Sequence, residues 1–171
     1  MISEVLMKLF RIILVLFSFF IAFSSCASDQ LSCQEILDAL IEGSADLPAG
    51  DIYRHTSKDS SADGYMSSYL MEAMYGEGFE ENFALLQEYS IYISSFEAPY
   101  EIAVFKCYSR SDGLKIERMC RRRADTVSVA LRETSYYYLC DNIRVVREGE
   151  YVVFIMTDEP KKTERTVKKL I

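Results

Sequence analysis

The first pattern along the chain is one apolar run near its start. Positions 12–23 are apolar except for Ser18, and Lys8 and Arg11 precede them. A helix that spans a bilayer needs about 20 apolar residues, whereas the core of a secretion signal needs only about 7–15. The run therefore predicts an export signal rather than a permanent span. Met7 would give this signal a more typical start than the first residue of the chain.

The run ends in small residues and a cysteine, Phe23-Ser24-Ser25-Cys26. This segment resembles a lipobox, with Phe23 where leucine is usual. Cys26 is therefore predicted to receive diacylglycerol and a fatty acid such as palmitate, and to become the N-terminus of a membrane-anchored lipoprotein. Two alternatives stay open. Cleavage beside the small pair Ser25 and Ala27 would give a secreted protein, and an uncleaved signal would leave a marginal membrane anchor.

Helical spacing follows the signal. Ser32 and Glu35 have the form of a capping box, and the apolar residues after them predict a helix over 33–42. Residues 44–63 are polar and interrupted by proline and glycine, which predicts a loop. Apolar residues at helical spacing in 65–74 predict a second helix.

The period of the pattern changes near residue 90. Four segments are predicted to be strands, namely 90–94, 101–108, 143–147 and 151–156. Two segments are predicted to be helices, namely 112–132 and the segment that begins at Pro160. Gly149 can supply the positive φ that a tight turn between the last two strands requires.

This order of elements predicts an α+β fold. We expect a small antiparallel sheet from two hairpin–helix (ββα) units, with the N-terminal helices packing on it. The predicted organisation is a signal at 1–26, an N-terminal helix and polar loop at 27–64, and an α+β domain at 65–171. Residues 152–156 are all apolar, so both faces of that strand should be covered, the second one by the two N-terminal helices.

The charge of the chain disfavours nucleic acid as a partner. The formal net charge is −7, and without residues 1–26 there are 17 Lys and Arg against 25 Asp and Glu, a net charge of −8. An acidic protein repels a phosphate backbone. The one dense basic run, Arg121–Arg123, falls in a predicted helix, and we interpret it as a solvated face.

Residues that could carry catalysis are sparse. His55 is the one histidine, and it lies in the predicted loop without a nucleophile placed beside it in the sequence. Glu77, Glu80 and Glu81 form an acidic cluster that could carry out acid–base chemistry, but such clusters usually mark the start of a helix. We expect no enzyme, no metal and no cofactor.

Four cysteines follow the signal, namely Cys33, Cys107, Cys120 and Cys140. None has the Cys-x-x-Cys spacing of a metal or redox site. They fit buried apolar side chains, but outside the cytoplasm disulfides can persist. If one bridge exists, we predict Cys107–Cys140, because both lie in or beside strand-like segments.

Tyrosine is unusually frequent, with 12 residues and no tryptophan. Three of them are consecutive, Tyr136, Tyr137 and Tyr138. Exposed tyrosines make good binding surfaces, because the ring is apolar and the hydroxyl is polar. We predict that these three residues form a binding surface. The alternative is that they pack within the sheet.

Three segments carry a resemblance when taken in order: Met74-Tyr75-Gly76, 101–106 and 149–160. Together they resemble an uncharacterised family of bacterial lipoproteins, found mostly in Gram-positive anaerobes and known as domain of unknown function 4358. The likeness covers about residues 65–171 and the signal. It implies a lipobox cysteine, in agreement with Cys26. The additional cysteines and Phe23 depart from the family. The family has no established activity, so it assigns no functional residue.

These patterns predict a lipoprotein tethered to the outer face of the cell membrane, with a non-catalytic role in binding or envelope assembly. Its expected partners are the membrane itself and an envelope protein or cell-wall component. Two other functions stay open. One is a cell-envelope hydrolase that uses Glu77–Glu81, and the other is a sugar- or peptide-binding module that uses Tyr136–Tyr138.

Overall fold

The centre of the fold is one antiparallel sheet. The computed structural model describes residues 30–44, 47–56, 60–95 and 99–171, so the predicted signal with Cys26 lies outside the described residues. The sheet has five strands in the order β1-β2-β3-β5-β4. They are β1 (Gly50–Arg54), β2 (Leu86–Ser94), β3 (Glu101–Cys107), β4 (Arg144–Glu148) and β5 (Tyr151–Met156). Every neighbouring pair is antiparallel.

The described residues form five α-helices around this sheet, namely α1 (Cys33–Glu42), α2 (Ser68–Tyr75), α3 (Phe79–Phe83), α4 (Arg110–Leu131) and α5 (Pro160–Leu170). A 3₁₀ helix, Tyr137–Asn142, precedes β4. The β2–β3 hairpin is followed by α4, and the β4–β5 hairpin is followed by α5. The predicted α+β fold of two ββα units is therefore confirmed. Residues 31–171 form one compact unit, which includes α1 and β1.

The first strand, β1, was not predicted, because it lies inside the segment interpreted as a loop. It pairs with β2 from Gly50↔Ser94 to Arg54↔Ser90. Only Ile52 and Tyr53 give it apolar character, which is too little for a period to be visible in the sequence. A Cβ atom at Gly50 would lie 2.4 Å from the Ile93 carbonyl oxygen, so glycine lets the two backbones approach.

The capping box predicted for the first helix is present. The Glu35 N–H donates to Ser32 Oγ at 3.2 Å, and the Ser32 N–H donates to the Glu35 carboxylate at 2.8 Å. These two bonds satisfy backbone donors that the start of a helix leaves without partners. The hydrogen bond from the Ser32 backbone also lowers the pKa of the Glu35 carboxyl, and α1 begins where the sequence predicted.

The helices cover both faces of the sheet, but not in the predicted arrangement. On one face, α1 packs on β2 and β3 and contacts α5. On the other face, α4 packs on β3, β4 and β5, and α2 and α3 contact α4. The prediction that both N-terminal helices cover the same face is therefore wrong, since α2 joins the face of α4. The reason is Tyr75 at the end of α2, which inserts beside Glu101 and Phe105 of β3.

The long helix α4 is bonded to both hairpins. Arg147 of β4 donates to Glu117 at 2.8 Å, and two helical turns later Arg123 donates to Glu101 of β3 at 2.9 Å. Arg121, one turn after Glu117, donates to the same carboxylate at 2.7 Å. Helix α4 therefore extends across β4, β5 and β3, from the edge of the sheet to its interior.

The core is densest along β5. All six residues of this strand are buried, which confirms the prediction that both of its faces are covered. Gly149 has φ +59° in the turn between β4 and β5, as the sequence predicted. Among the helices that the structure describes, none is long and apolar enough to span a membrane.

Candidate functional site

The most unusual feature of the interior is a buried ion pair. Glu101, the first residue of β3, is 1% exposed. Arg123 Nε and Nη2 donate to its Oε2 atom at 3.1 and 2.9 Å, and the side chain of Arg123 is 16% exposed. The hydroxyl of Tyr75 donates to Oε1 at 3.3 Å. Three elements, α2, β3 and α4, therefore meet at one carboxylate.

The interpretation of Arg121–Arg123 as a solvated face is wrong for one of its three residues. Arg121 and Arg122 are exposed, whereas Arg123 turns inward to Glu101. The sequence contained a signal for this. Arg123 lies three residues after Cys120 and four before Val127, both of which are buried on the sheet side of α4. The spacing, rather than the residue type, identifies the inward arginine.

The protonation states of Arg123 and Tyr75 are set by their neighbours. Burial is the largest single influence on the pKa of the Arg123 guanidinium and lowers it, but the charge of Glu101, the nearby Tyr75 and the hydrogen bond to Glu101 together raise that pKa. Burial, and then the charge of Glu101, raise the pKa of Tyr75 well above its ordinary value. Arg123 therefore stays a cation and Tyr75 stays a neutral donor.

An open pocket of about 220 Å³ lies next to the ion pair. Glu101 and Arg123 form part of its wall, together with Tyr100 and Thr126. Apolar side chains form most of the rest, namely Ile93, Pro99, Val127, Ala130, Leu131 and Met156. Small-molecule sites combine apolar walls with a few convergent polar groups in this way, and at about 220 Å³ this pocket is smaller than the roughly 300–1,000 Å³ that is usual for them.

A cluster of two tyrosines and one aspartate borders this pocket. The hydroxyl of Tyr100 donates to the Asp158 carboxylate at 2.6 Å, and the side chain of Tyr138 lies near Tyr100. Burial raises the pKa of Tyr100, and the neighbouring side chains of Asp158 and Tyr138 raise it further. Tyr100 lines the pocket and Tyr138 lies on the outer surface, so these neighbouring side chains connect the pocket wall to that surface.

The predicted tyrosine surface is exposed at two of its three positions. Tyr137 and Tyr138 are 43% and 46% exposed, while Tyr136 is half-buried against the core. The alternative that these rings pack within the sheet is wrong, because Tyr137 and Tyr138 begin the 3₁₀ helix rather than a strand. Through Tyr138, this surface is continuous with the pocket.

The other candidate residues do not join this site. His55 lies directly after β1, and its ring packs edge-on against Tyr89 at 5.3 Å between centroids. Glu77, Glu80 and Glu81 are exposed in the turn and first helical turn around α3, and none of them lines the pocket. Across the described part of the chain, no group of three or more His, Cys, Asp or Glu residues could hold a metal ion.

Cys107 and Cys140, the pair predicted to form a disulfide, are both free thiols, as are Cys33 and Cys120. Cys107 is the last residue of β3, whereas Cys140 follows Tyr138, which lies beside Tyr100 at the opposite end of that strand. The seven residues of β3 place its two ends about 20 Å apart. A disulfide requires Cα atoms within about 7 Å, so this geometry does not allow the bridge.

The four thiols should differ sharply in reactivity. Burial, followed by the negative charges of Asp112 and Glu150, raises the pKa of Cys107 to about 12, and burial also raises the pKa values of Cys33 and Cys120. Among these four thiols, we expect iodoacetamide at pH 8 to modify only half-buried Cys140 in the folded chain whose Cys26 is lipidated, and all four to react in urea. Mass spectrometry of the alkylated chain measures this.

The control for this experiment is Cys140→Ser, which should remove the reaction under native conditions. Modification of Cys33 or Cys107 as fast as Cys140 in the folded chain would contradict their burial. A mass that stays short of four alkyl groups in urea, and recovers only after reduction, would show that a disulfide forms after all.

No family model, no curated protein and no solved structure matches this chain. The resemblance to the lipoprotein family therefore stays a prediction from the sequence. The described residues form an α+β domain with an open, largely apolar pocket, a buried ion pair in the wall of that pocket and a tyrosine surface beside it.

Proposed function

We propose that this chain is a membrane-tethered, extracytoplasmic binding protein. A lipid on Cys26 would hold the domain at the outer face of the cell membrane. The pocket beside Arg123 and the adjoining surface of Tyr137 and Tyr138 would take the ligand or partner. The observation that carries the binding role is this meeting of an apolar pocket with exposed tyrosines at one place on the fold.

The tether is supported by the sequence alone. The apolar run at 12–23 has the length of a signal core, and small residues lead from it to Cys26. The diacylglycerol and the fatty acid predicted for Cys26 together supply more than one acyl chain, which is enough for stable attachment to a bilayer. We propose that the domain, once anchored, contacts an envelope protein or a cell-wall component.

Binding is favoured over catalysis by the way the polar groups of the pocket are used. Both carboxylate oxygens of Glu101 already accept hydrogen bonds, from Arg123 and from Tyr75. A general acid or base must exchange its proton with a substrate. Glu101 is committed to its neighbours instead, and the acidic cluster at Glu77–Glu81, which a hydrolase would use, lies outside the pocket wall.

The exposed tyrosines favour a second candidate, a module that binds sugar or peptide directly on Tyr137 and Tyr138. Such rings can stack on the apolar face of a sugar or cover a peptide side chain. The two candidates share one surface but differ in where the ligand is anchored. The first uses the pocket, and the second uses the 3₁₀ helix.

The tether has a direct test. In cells supplied with labelled palmitate, the wild-type chain should incorporate label and fractionate with membranes, and Cys26→Ala should do neither, since it has no thiol to receive the diacylglycerol that carries the label. Gel fluorography and membrane fractionation measure the two properties. Cys140→Ala is the matched control, because it removes a half-buried thiol that is far from the signal in the sequence, and it should keep both properties. Membrane attachment of Cys26→Ala equal to wild type would refute the lipid anchor.

A further inference from the structure

We infer that the pocket beside Arg123 binds a small carboxylate that carries a compact apolar body. This inference rests on the proposed binding role and adds a ligand class to it. It depends on three observations: the size of the pocket, the chemistry of its walls, and the donors that Arg123 leaves unused.

The size of the pocket limits the apolar part of the ligand. Its volume is about 220 Å³. For comparison, an engineered apolar cavity of about 150 Å³ accommodates benzene. A branched aliphatic chain or one aromatic ring with a short linker would therefore fit, whereas a nucleotide or a disaccharide would not. The walls that would contact this body include Ile93, Val127, Leu131 and Met156.

The unused donors define the polar end of the ligand. A guanidinium has five N–H groups, and two of those of Arg123 donate to Glu101. Within 30–44, 47–56, 60–95 and 99–171, no acceptor other than Glu101 is bonded to Arg123. The remaining donors belong to a side chain that lines the pocket and is still 16% exposed.

A carboxylate satisfies these donors best. Arginine binds carboxylates through parallel N–H···O bonds that match its planar geometry. An ammonium group would meet the guanidinium with like charge, and a purely apolar ligand would cover unpaired donors at a cost in free energy. Glu101 also belongs to the pocket wall, but it is 1% exposed and both of its oxygens already accept hydrogen bonds, from Arg123 and from Tyr75.

The experiment uses the lipidated chain in detergent micelles, with empty micelles as the blank. Isothermal titration calorimetry compares 3-phenylpropanoate and 4-methylpentanoate with their neutral amides. For ligands of this size we expect a dissociation constant of about 0.1–1 mM for the acids. The amides should bind at least about 10-fold more weakly, because they lack the charge that pairs with Arg123.

Two neighbouring residues of α4 provide matched variants. Ala130 lines the pocket, whereas Val129 is exposed and does not. Ala130→Leu should fill the pocket and weaken acid binding by about 10-fold or more, while Val129→Leu should change it by less than about 2-fold. Arg123→Lys keeps the cation facing Glu101 but loses the planar fork, so it should reduce the preference of the pocket for acid over amide.

The outcomes separate this inference from the proposed function. Equal binding of acids and amides, or unchanged acid binding in Ala130→Leu, would overturn the ligand class. An absence of heat from every probe with a folded chain would overturn it as well. None of these results would affect palmitate labelling at Cys26 or prevent a measurement of sugar or peptide binding at Tyr137 and Tyr138. Those two experiments therefore test the tethered binding role separately from the ligand class.

Discussion

Arg123→Met should lower the free energy of unfolding by about 3 kcal/mol, because it leaves Glu101 as a buried charge without its partner. The carboxylate is 1% exposed, so water cannot replace the two lost hydrogen bonds. We take the lower end of the usual range, since Arg123 itself is 16% exposed. Urea unfolding measures the change, followed by circular dichroism because the chain has no tryptophan.

The control for this prediction is the adjacent residue. Arg122 is exposed, so Arg122→Met should change stability by no more than about 0.5 kcal/mol. The double variant Glu101→Met, Arg123→Met removes both charges and should recover to within about 2 kcal/mol of the wild type. If Arg123→Met and Arg122→Met were equally stable, the Glu101–Arg123 ion pair would not be shielded from water, contrary to its buried position in the pocket wall.

Val153→Asp should abolish cooperative folding. Val153 is 0% exposed and lies at the middle of the sheet, opposite Val104 of β3 and Val146 of β4. A carboxyl group at this position has no partner and cannot reach water, which costs several kcal/mol (roughly 4 or more) out of a total stability of about 5–15 kcal/mol. Circular dichroism against temperature should show no sharp transition.

Val129→Asp is the matched control for this second substitution. Val129 is 66% exposed in the last turn of α4, so the same change should cost no more than about 1 kcal/mol there, mostly through the unfavourable position of a negative charge at a helix end. A Val153→Asp chain with the same thermal midpoint as Val129→Asp would mean that β5 is not enclosed by helices on both sides.

The fold was predictable where the pattern of apolar residues has a clear period. The two hairpins, α1 and α4 follow from alternation in strands and from one-sided stripes in helices, and Gly149 follows from its turn. β1 was missed because a short edge strand with mixed polar residues has no such period. The distribution of helices over the two faces was missed for another reason. The apolar pattern of α2 shows that one side of this helix is buried, but it does not show which face of the sheet that side covers.

The site was less predictable than the fold. Tyr137 and Tyr138 were identified from composition, since three consecutive tyrosines are unusual in any setting. The Glu101–Arg123 pair was missed, because residues 22 apart in sequence meet only when β3 and α4 pack together. The spacing of Arg123 to Cys120 and Val127 could have identified it as the inward-facing arginine. Nothing in the spacing identifies Glu101 as its buried partner.

The attachment of α4 at two points also bears on how the domain comes apart. Arg147 joins the β4–β5 hairpin to α4 through an ion pair with Glu117. Glu101 joins the β2–β3 hairpin to α4 through an ion pair with Arg123. If α4 detaches from the sheet, both ion pairs break in the same event. Neither hairpin can therefore unfold by itself to give a partly unfolded intermediate. Within the described residues, β1 is an edge strand that pairs with β2 and makes no extensive contact with α4, so unfolding should begin there and a protease should cleave that edge of the domain first.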